Sequence, residues 1–488
     1  MNGRKGDEKM AVARLKFLDK SEEDLIHQQS IECLETIGVK IKSENVLKML
    51  EKAGAKVDYK AQVAKIPESM VKGALGTVPK EMTLHARNSK NDLRIPVSSW
   101  PYTGTTGLGT YILDLKTGKR RDSTVKDIAD CVKLADALDG ASYVQTSLTA
   151  TEVPQLTHGL HELWTAFQNT SKHVQGIEIY DAEDARKQVE LGALIAGGKD
   201  ELKKKPYFTV IHCSIAPLMF EHDAVEAMVE FAKAGVAITT MTMSLSGGTA
   251  PVTMAGTLVN ANSENLASHV IGQTASKGAR TIYCSSSAPI NMNTGMINYE
   301  SANLPLIATG LAQMAKRYGL PCMVGDWGLN DAEQPGLPHT FSETMGIALT
   351  TMTGTDMQGG IGTLDNAKGM ALEQIVIDSY VWENVRMHMT PFEISEATAA
   401  LDVIKQVGHG NTFLSNIHTA RNFKKEIILR DKNKGRFEAT LSKMMVSEAR
   451  QIATKLLKEH EVEPLDKSIV KQGDEIIRSY EKQILGKR

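Results

Sequence analysis

Apolar residues recur at helical spacing in the first part of the chain, as in Leu25, Ile26, Cys33, Leu34 and Ile37, then Val46, Leu47 and Leu50, before a turn at Ala53-Gly54-Ala55. This predicts a helical region over 21–78, ending near a strand-like stretch at 82–85. The pattern changes after Trp100-Pro101-Tyr102, where a hairpin is expected over 110–115, turning at Lys116-Thr117-Gly118-Lys119. Beyond it, short apolar runs alternate with long helical patterns, and most runs lead into a Gly, Ser or Thr cluster. Strands are expected to begin near Ser142, His173, Tyr207, Val236, Arg280, Pro321 and Asp356, with one more over 98–103. Helices are expected over 125–138, 155–168, 184–196, 224–234, 263–276, 301–318, 340–351 and 372–389. This order predicts a (β/α)8 TIM barrel over 98–390, with a helical N-terminal region (1–97) and a helical C-terminal region (391–488) packed on the barrel. The rival is an open doubly wound sheet, which usually carries a phosphate-binding Gly fingerprint at its first βα turn; none stands in the right context here.

The length of 488 residues exceeds the roughly 250 to 300 at which one core stops growing, which suits a barrel with appendages. Apolar residues at 42% and charged residues at 23% exclude a disordered chain and a disulfide-stapled miniprotein. A formal charge of -2 gives no global pull toward nucleic acid or anionic membrane, and no segment approaches the ~18 apolar residues of a membrane span. Cys33, Cys131, Cys213, Cys284 and Cys322 are scattered, with no C-x-x-C pair, as expected of a cytoplasmic protein. Aromatic residues reach only 5% of the chain, so each one near a site draws attention.

In a barrel the chemistry sits where strands end. The loops there hold Ser244 to Pro251, Ser285-Ser286-Ser287-Ala288-Pro289, Gly325 to Asp331 and Gly359 to Asn366, which predicts a cavity lined largely by backbone, although tight βα turns alone account for about half of these glycines and serines. Tyr102 and Trp327 are the aromatics best placed at strand ends, with Phe220 and Phe341 as further candidates. Aromatic faces suit a quaternary ammonium cation, which has no N–H to donate; ordinary core aromatics are the plain alternative. His339, after Pro338 at an expected helix N-terminus, could bind a carboxylate or simply cap the helix. The His158-x-x-His161-Glu162 spacing places both imidazoles on one helix face, yet supplies no third ligand at fixed spacing, so no metal is expected on this chain. Cys213, Cys284 and Cys322 each fall in an expected strand, where packing as small hydrophobes is the first expectation.

The stretches 104–124 (GTTGLGTYILDLKTGKRRDST), 247–259 (GGTAPVTMAGTLV), 320–343 (LPCMVGDWGLNDAEQPGLPHTFSE), 359–378 and 418–430 (HTARNFKKEIILR), in this order and spacing, resemble the trimethylamine methyltransferase superfamily. The resemblance implies a (β/α)8 barrel that moves a methyl group from a methylated amine to cobalt(I) of a separate corrinoid protein. Members that demethylate trimethylamine carry pyrrolysine at the barrel mouth, in a region matching approximately 329–333. This chain has only standard residues there, which points to the branch acting on quaternary amines such as glycine betaine, proline betaine, carnitine and γ-butyrobetaine.

The expectation is therefore a glycine betaine methyltransferase of the cytoplasm, using the cob(I)alamin of a cognate corrinoid protein, with a homo-oligomer expected. From strand-end placement, Tyr102, Trp327 and Phe341 would form the cation face, while Gln145, His339 and Gln358 would orient the carboxylate. No residue is assigned a catalytic role, because alignment of the methyl group with the corrinoid is the main demand. The alternatives are a betaine-binding protein without transfer and a zinc-dependent barrel hydrolase or lyase.

Overall fold

A computed structural model describes residues 10–11, 13–325, 331–427 and 444–486, without the side chains of 10–11, 337–344 and 485. Among the described residues, eight parallel strands close into a barrel, with each strand pairing to the next and the last to the first. The strands are β1 Tyr102–Thr105, β2 Tyr143–Gln145, β3 His173–Gly176, β4 Phe208–Cys213, β5 Ala237–Thr242, β6 Thr281–Ser285, β7 Cys322–Val324 and β8 Met357–Ile361. The helices that follow them are α1 Val125–Ala137, α2 His158–Asn169, α3 Ala182–Ala196, α4 His222–Ala234, α5 Met254–Ala275, α6 Asn303–Arg317, α7 Leu337–Met352 and α8 Leu372–His388. The (β/α)8 expectation holds, with helices before and after the barrel.

Alternation along each strand sorts the side chains. Tyr143, Ile282, Cys284, Met323 and Met357 point into the bore and pack there, while Val144, Val174, Phe208 and Ile238 point out against the helices. Gly104 on β1 stands opposite Tyr143 in register, and a Cβ at this position would lie 2.5 Å from the buried Tyr143 ring. Only glycine leaves room for that ring. A hairpin of Met82–Leu84 and Leu93–Ile95 plugs the N-terminal end of the bore, packing its apolar residues against Tyr143 and Met357. His173 ties barrel to plug: its Nδ1 lies 2.7 Å from the His85 carbonyl, and desolvation lowers its pKa to about 4.

The longest barrel helix departs most from expectation. α5 starts nine residues before the expected 263, with Thr253 accepting a hydrogen bond from the Gly256 amide as its cap. Its sequence shows no apolar stripe because it has almost no solvent face: one side packs on β5 and β6, the other on the N-terminal helices Lys20–Thr36 and Glu68–Thr77. Its polar residues bond internally instead. Asn265 Oδ1 accepts from Thr240 Oγ1 and the Cys284 amide, and Asn262 Oδ1 accepts from Tyr283. Asn262 Nδ2 donates to Ser30 on the first of those N-terminal helices.

The N-terminal region also holds three short strands, Val39–Ile41, Lys56–Asp58 and Val63–Lys65, that sequence periodicity did not reveal. Met219–Phe220 joins their edge beside Val39–Ile41. Phe220 is therefore a fully buried packing residue, not a mouth aromatic, and its ring stacks on His212 at 6.1 Å. The C-terminal helices Met445–Glu459 and Lys467–Leu485 pack on the barrel through the Arg450–Glu373 and His161–Glu481 pairs and a bond from Trp164 Nε1 to Asp474. Among the described residues no helix is long and apolar enough to cross a membrane.

His212 offers a direct test of burial. It is enclosed, neither ring nitrogen has a hydrogen-bond partner, and desolvation pushes its pKa down to about 4. Below its ordinary pKa the unfolded chain binds a proton that the folded chain refuses, so stability falls as pH drops from about 6.5 toward 4. His212→Phe keeps a stacked ring without that penalty. Near pH 5 the variant is expected to gain about 2 kcal/mol on the wild type relative to their difference near pH 7. Urea unfolding at both pH values measures this, and a pH-independent difference contradicts it.

Candidate active site

The mouth lies at the C-terminal ends of the strands, where the loops gather. The predicted hairpin is present as Tyr111–Leu113 against Arg120–Asp122, and it joins Thr363–Leu364 and Gly369–Met370 in a small sheet beside β1 and β8. A second short pairing, Leu245–Ser246 with Ala288–Pro289, braces the loops after β5 and β6.

β2 and β3 carry parallel messages. Tyr143-Val144-Gln145 pairs residue for residue with His173-Val174-Gln175, so the two glutamines sit side by side facing the bore, two residues along their strands above Tyr143 and His173. Gln145 Nε2 donates to Thr106 Oγ1 at 3.0 Å, and Gln175 Nε2 donates to Thr239 Oγ1 at 3.1 Å. The amide nitrogens are thereby engaged, while both Oε1 atoms are buried with no hydrogen-bond partner in the protein. A buried, unpaired amide oxygen costs about 1 to 3 kcal/mol, so two of them together mark a place where stability yields to function.

Charge is excluded from this bore. Among the described residues, no Asp, Glu, Lys or Arg occurs in any of the eight barrel strands. Ionised groups sit behind the mouth instead. Glu264 on α5 accepts from Ser214 Oγ, the Leu218 amide and Asn260 Nδ2, joining the loop after β4 to α5. Asn260 also donates to Ser244 after β5. Burial raises the Glu264 pKa, and those three donors oppose the rise.

The expected site residues fare unequally. Gln145 faces the bore, with its amide nitrogen engaged and its carbonyl unpaired. Tyr102 is the first residue of β1, not its end; its hydroxyl accepts from the Arg94 amide of the plug, so the ring packs at the bottom of the bore, away from the mouth. Gln358 points outward: Met357 takes the inward position, and the Gln358 amide donates to Thr350 on α7. Trp327 lies outside the described residues. His339 and Phe341 fall in the first turn and a half of α7, which starts at the mouth, but their side chains lie outside the described ones.

Of the cysteines, Cys284 packs in the bore, Cys322 faces Thr355 outside it, and Cys213 differs by being exposed at the end of β4. His161 turns to Glu481, so the two histidines of the 158–162 motif do not share a site; His158 and Glu162 gather with Glu178 instead. Gln175 was missed in the sequence, although the repeated aromatic-Val-Gln reading of β2 and β3 is a signal that could have found it. An open cleft of about 830 Å³, lined by Arg94, Lys203, Lys277 and Arg280 among others, lies at the opposite, N-terminal end beside the plug, where barrels keep stability rather than chemistry.

Residues 7–484 match the model of the Trimethylamine methyltransferase (MTTB) family. The chain belongs to this family. It is similar to a trimethylamine methyltransferase of Desulfitobacterium hafniense, with 32% identity over 401 residues, 82% of this chain and 80% of that one. A trimethylamine methyltransferase of Methanosarcina barkeri is 30% identical over 467 residues, covering 94% of each chain. A glycine betaine methyltransferase of Desulfitobacterium hafniense is 29% identical over 421 residues, 85% of this chain and 86% of that one. The solved monomethylamine methyltransferase of Methanosarcina barkeri shares the fold at a TM-score of 0.54 and 12% identity, covering 91% of this chain and 88% of that one. Family membership makes the protein a methyltransferase, and the alternatives of a ligand carrier or a zinc hydrolase give way to it.

Proposed function

We propose that the protein transfers a methyl group from a quaternary amine of the betaine class, glycine betaine foremost, to cobalt(I) of a corrinoid held by a separate protein. The carrying observation is the uncharged bore topped by the unpaired amide oxygens of Gln145 and Gln175. A quaternary ammonium has no N–H, and its charge is spread over its methyl groups. Neutral carbonyl dipoles suit it better than carboxylates, because the charge on nitrogen fades as the methyl leaves and a carboxylate would hold the ground state more tightly than the transition state. The leaving group is a neutral amine, so no acid is needed, and no strand residue offers one at neutral pH.

In balance, the N–CH3 bond breaks with its electron pair staying on nitrogen, and the corrinoid supplies the electron pair for the new bond to the methyl carbon. The chain's own task is to orient one methyl group toward the mouth and exclude water. The amide oxygens of Gln145 and Gln175 hold the cation from below. The N-terminal turn of α7, with His339, would receive the carboxylate, and Trp327 and Phe341 remain the proposed aromatic face. The rim is apolar: Ile215, Val252, Met292 and Met296 are exposed on the loops after β4, β5 and β6, a surface suited to a docking protein. The glycine betaine methyltransferase among the relatives supports the substrate class.

Isothermal titration of the full chain with glycine betaine, proline betaine, carnitine, γ-butyrobetaine and trimethylamine tests the reading. One quaternary amine is expected to bind at least about 10-fold tighter than trimethylamine, a difference of ~1.4 kcal/mol. Equal or tighter binding of trimethylamine overturns it.

A further inference from the structure

A second set of chemically capable side chains meets outside the bore, where the start of α2 abuts the chain leaving β3. His158 opens α2 and Glu162 follows one turn later on the same face, while Glu178 comes from the segment two residues past Gly176. One ligand-type atom from each lies within 4.8 Å of the other two. Gly159 makes the approach possible, since a Cβ there would stand 2.1 Å from the Glu178 carbonyl oxygen. Gln188 fixes the segment from behind, donating to both the Glu178 carbonyl and Asp184 at 2.9 Å.

The cluster has more acceptors than donors. Glu162 is fully buried, and neither of its carboxylate oxygens has a hydrogen-bond partner. His158 Nε2 lies 3.1 Å from the Val153 carbonyl and donates there, which leaves Nδ1, 3.4 Å from Glu178 Oε1, with its lone pair toward the carboxylates. A ring nitrogen held by a carbonyl while the other faces carboxylates is the arrangement that orients metal-binding imidazoles. Buried acceptors facing one another repel unless a positive charge lies between them.

We propose that His158, Glu162 and Glu178 bind a first-row divalent cation, with zinc the best match to one imidazole and two carboxylates. The ion would clip α2 to the exit of β3 and so hold the strand that presents Gln175. It takes no part in methyl transfer, because the cluster lies on the helix side of the barrel wall. Its two positive charges balance the two carboxylates, so no further acid need be neutralised.

The full chain, stripped with a chelator and dialysed, is titrated with zinc and analysed for bound metal, and with cobalt(II) for visible ligand-field bands. One ion per chain is expected, with the cobalt bands present and the thermal midpoint raised by zinc. Glu162→Gln, a neutral isostere, should weaken binding more than about 100-fold and abolish the bands, whereas His161→Gln should bind as the wild type does. If Glu162→Gln does not fold, His158→Gln serves in its place, with altered bands and weakened binding expected. Metal well below one per chain in the reloaded wild type overturns the proposal. So does stoichiometric metal that both Glu162→Gln and His158→Gln retain.

Discussion

Replacing Gln145 and Gln175 together with methionine is expected to lower kcat/KM for the quaternary amine by roughly 30- to 150-fold while leaving the unfolding midpoint within a few degrees of the wild type. The loss follows from removing two carbonyl dipoles, each worth about 1 to 1.5 kcal/mol to the cation. The stability result follows from an opposing balance. Thr106 and Thr239 lose their amide donors, but two buried oxygens without partners disappear as well. Methionine keeps the volume, so packing against Tyr143 and His173 is preserved. A residue that merely fills the bore would show a fall in stability without a selective loss of activity. A midpoint lowered by more than about 10 °C, or activity within twofold of wild type, contradicts the assignment.

The second large effect concerns the rim. Val252 and Met292 are 71% and 72% exposed on the loops after β5 and β6, far more than their apolar character favours in a free surface. Changing both to glutamate is expected to raise the KM for the corrinoid protein by about 10- to 100-fold, since charges would have to be desolvated on docking. Betaine affinity should not move, because neither side chain enters the bore. The two readouts separate a docking role from a substrate role: a parallel loss of betaine binding would place these residues in the site, and unchanged transfer would remove the rim from the interface.

The barrel was legible because its strands are short apolar runs closed by Gly, Ser and Thr, and because Val, Ile and Ala recur at helical spacing between them. Seven of the expected strand starts lie one residue or less from the observed ones. The eighth failed for a physical reason. The chain bends at 98–100, where the Ser98 and Ser99 carbonyls accept from the Arg14 side chain instead of from a strand, and barrel pairing begins only at Tyr102, whose amide bonds to the Asp356 carbonyl, so Tyr102 falls at the bottom. α5 was shortened in the reading because a helix enclosed on all sides shows no amphipathic period.

The site was less legible than the fold. Gln358 was misplaced by the two-residue period of a strand, where one step of register turns a side chain from bore to helix, and β8 carries an irregular register between Gln358 and Ile361 besides. Gln145 could be picked from its place at a strand end, yet the feature that distinguishes it, an unpaired carbonyl beside that of Gln175, depends on β2 and β3 being neighbours in register. Sequence spacing brought His158 and Glu162 together in one motif but held no trace of Glu178, which reaches α2 only through the close approach that Gly159 permits.

Reduced corrinoid protein, mixed with this chain and followed by visible spectroscopy, tests the central claim most directly. Conversion of cobalt(I) to methylcobalt is expected with glycine betaine or another quaternary amine of the panel, with an equal amount of the demethylated tertiary amine released, and is expected to fail with trimethylamine. Methylation by trimethylamine alone, or no methylation by any quaternary amine with an active corrinoid protein present, contradicts the account.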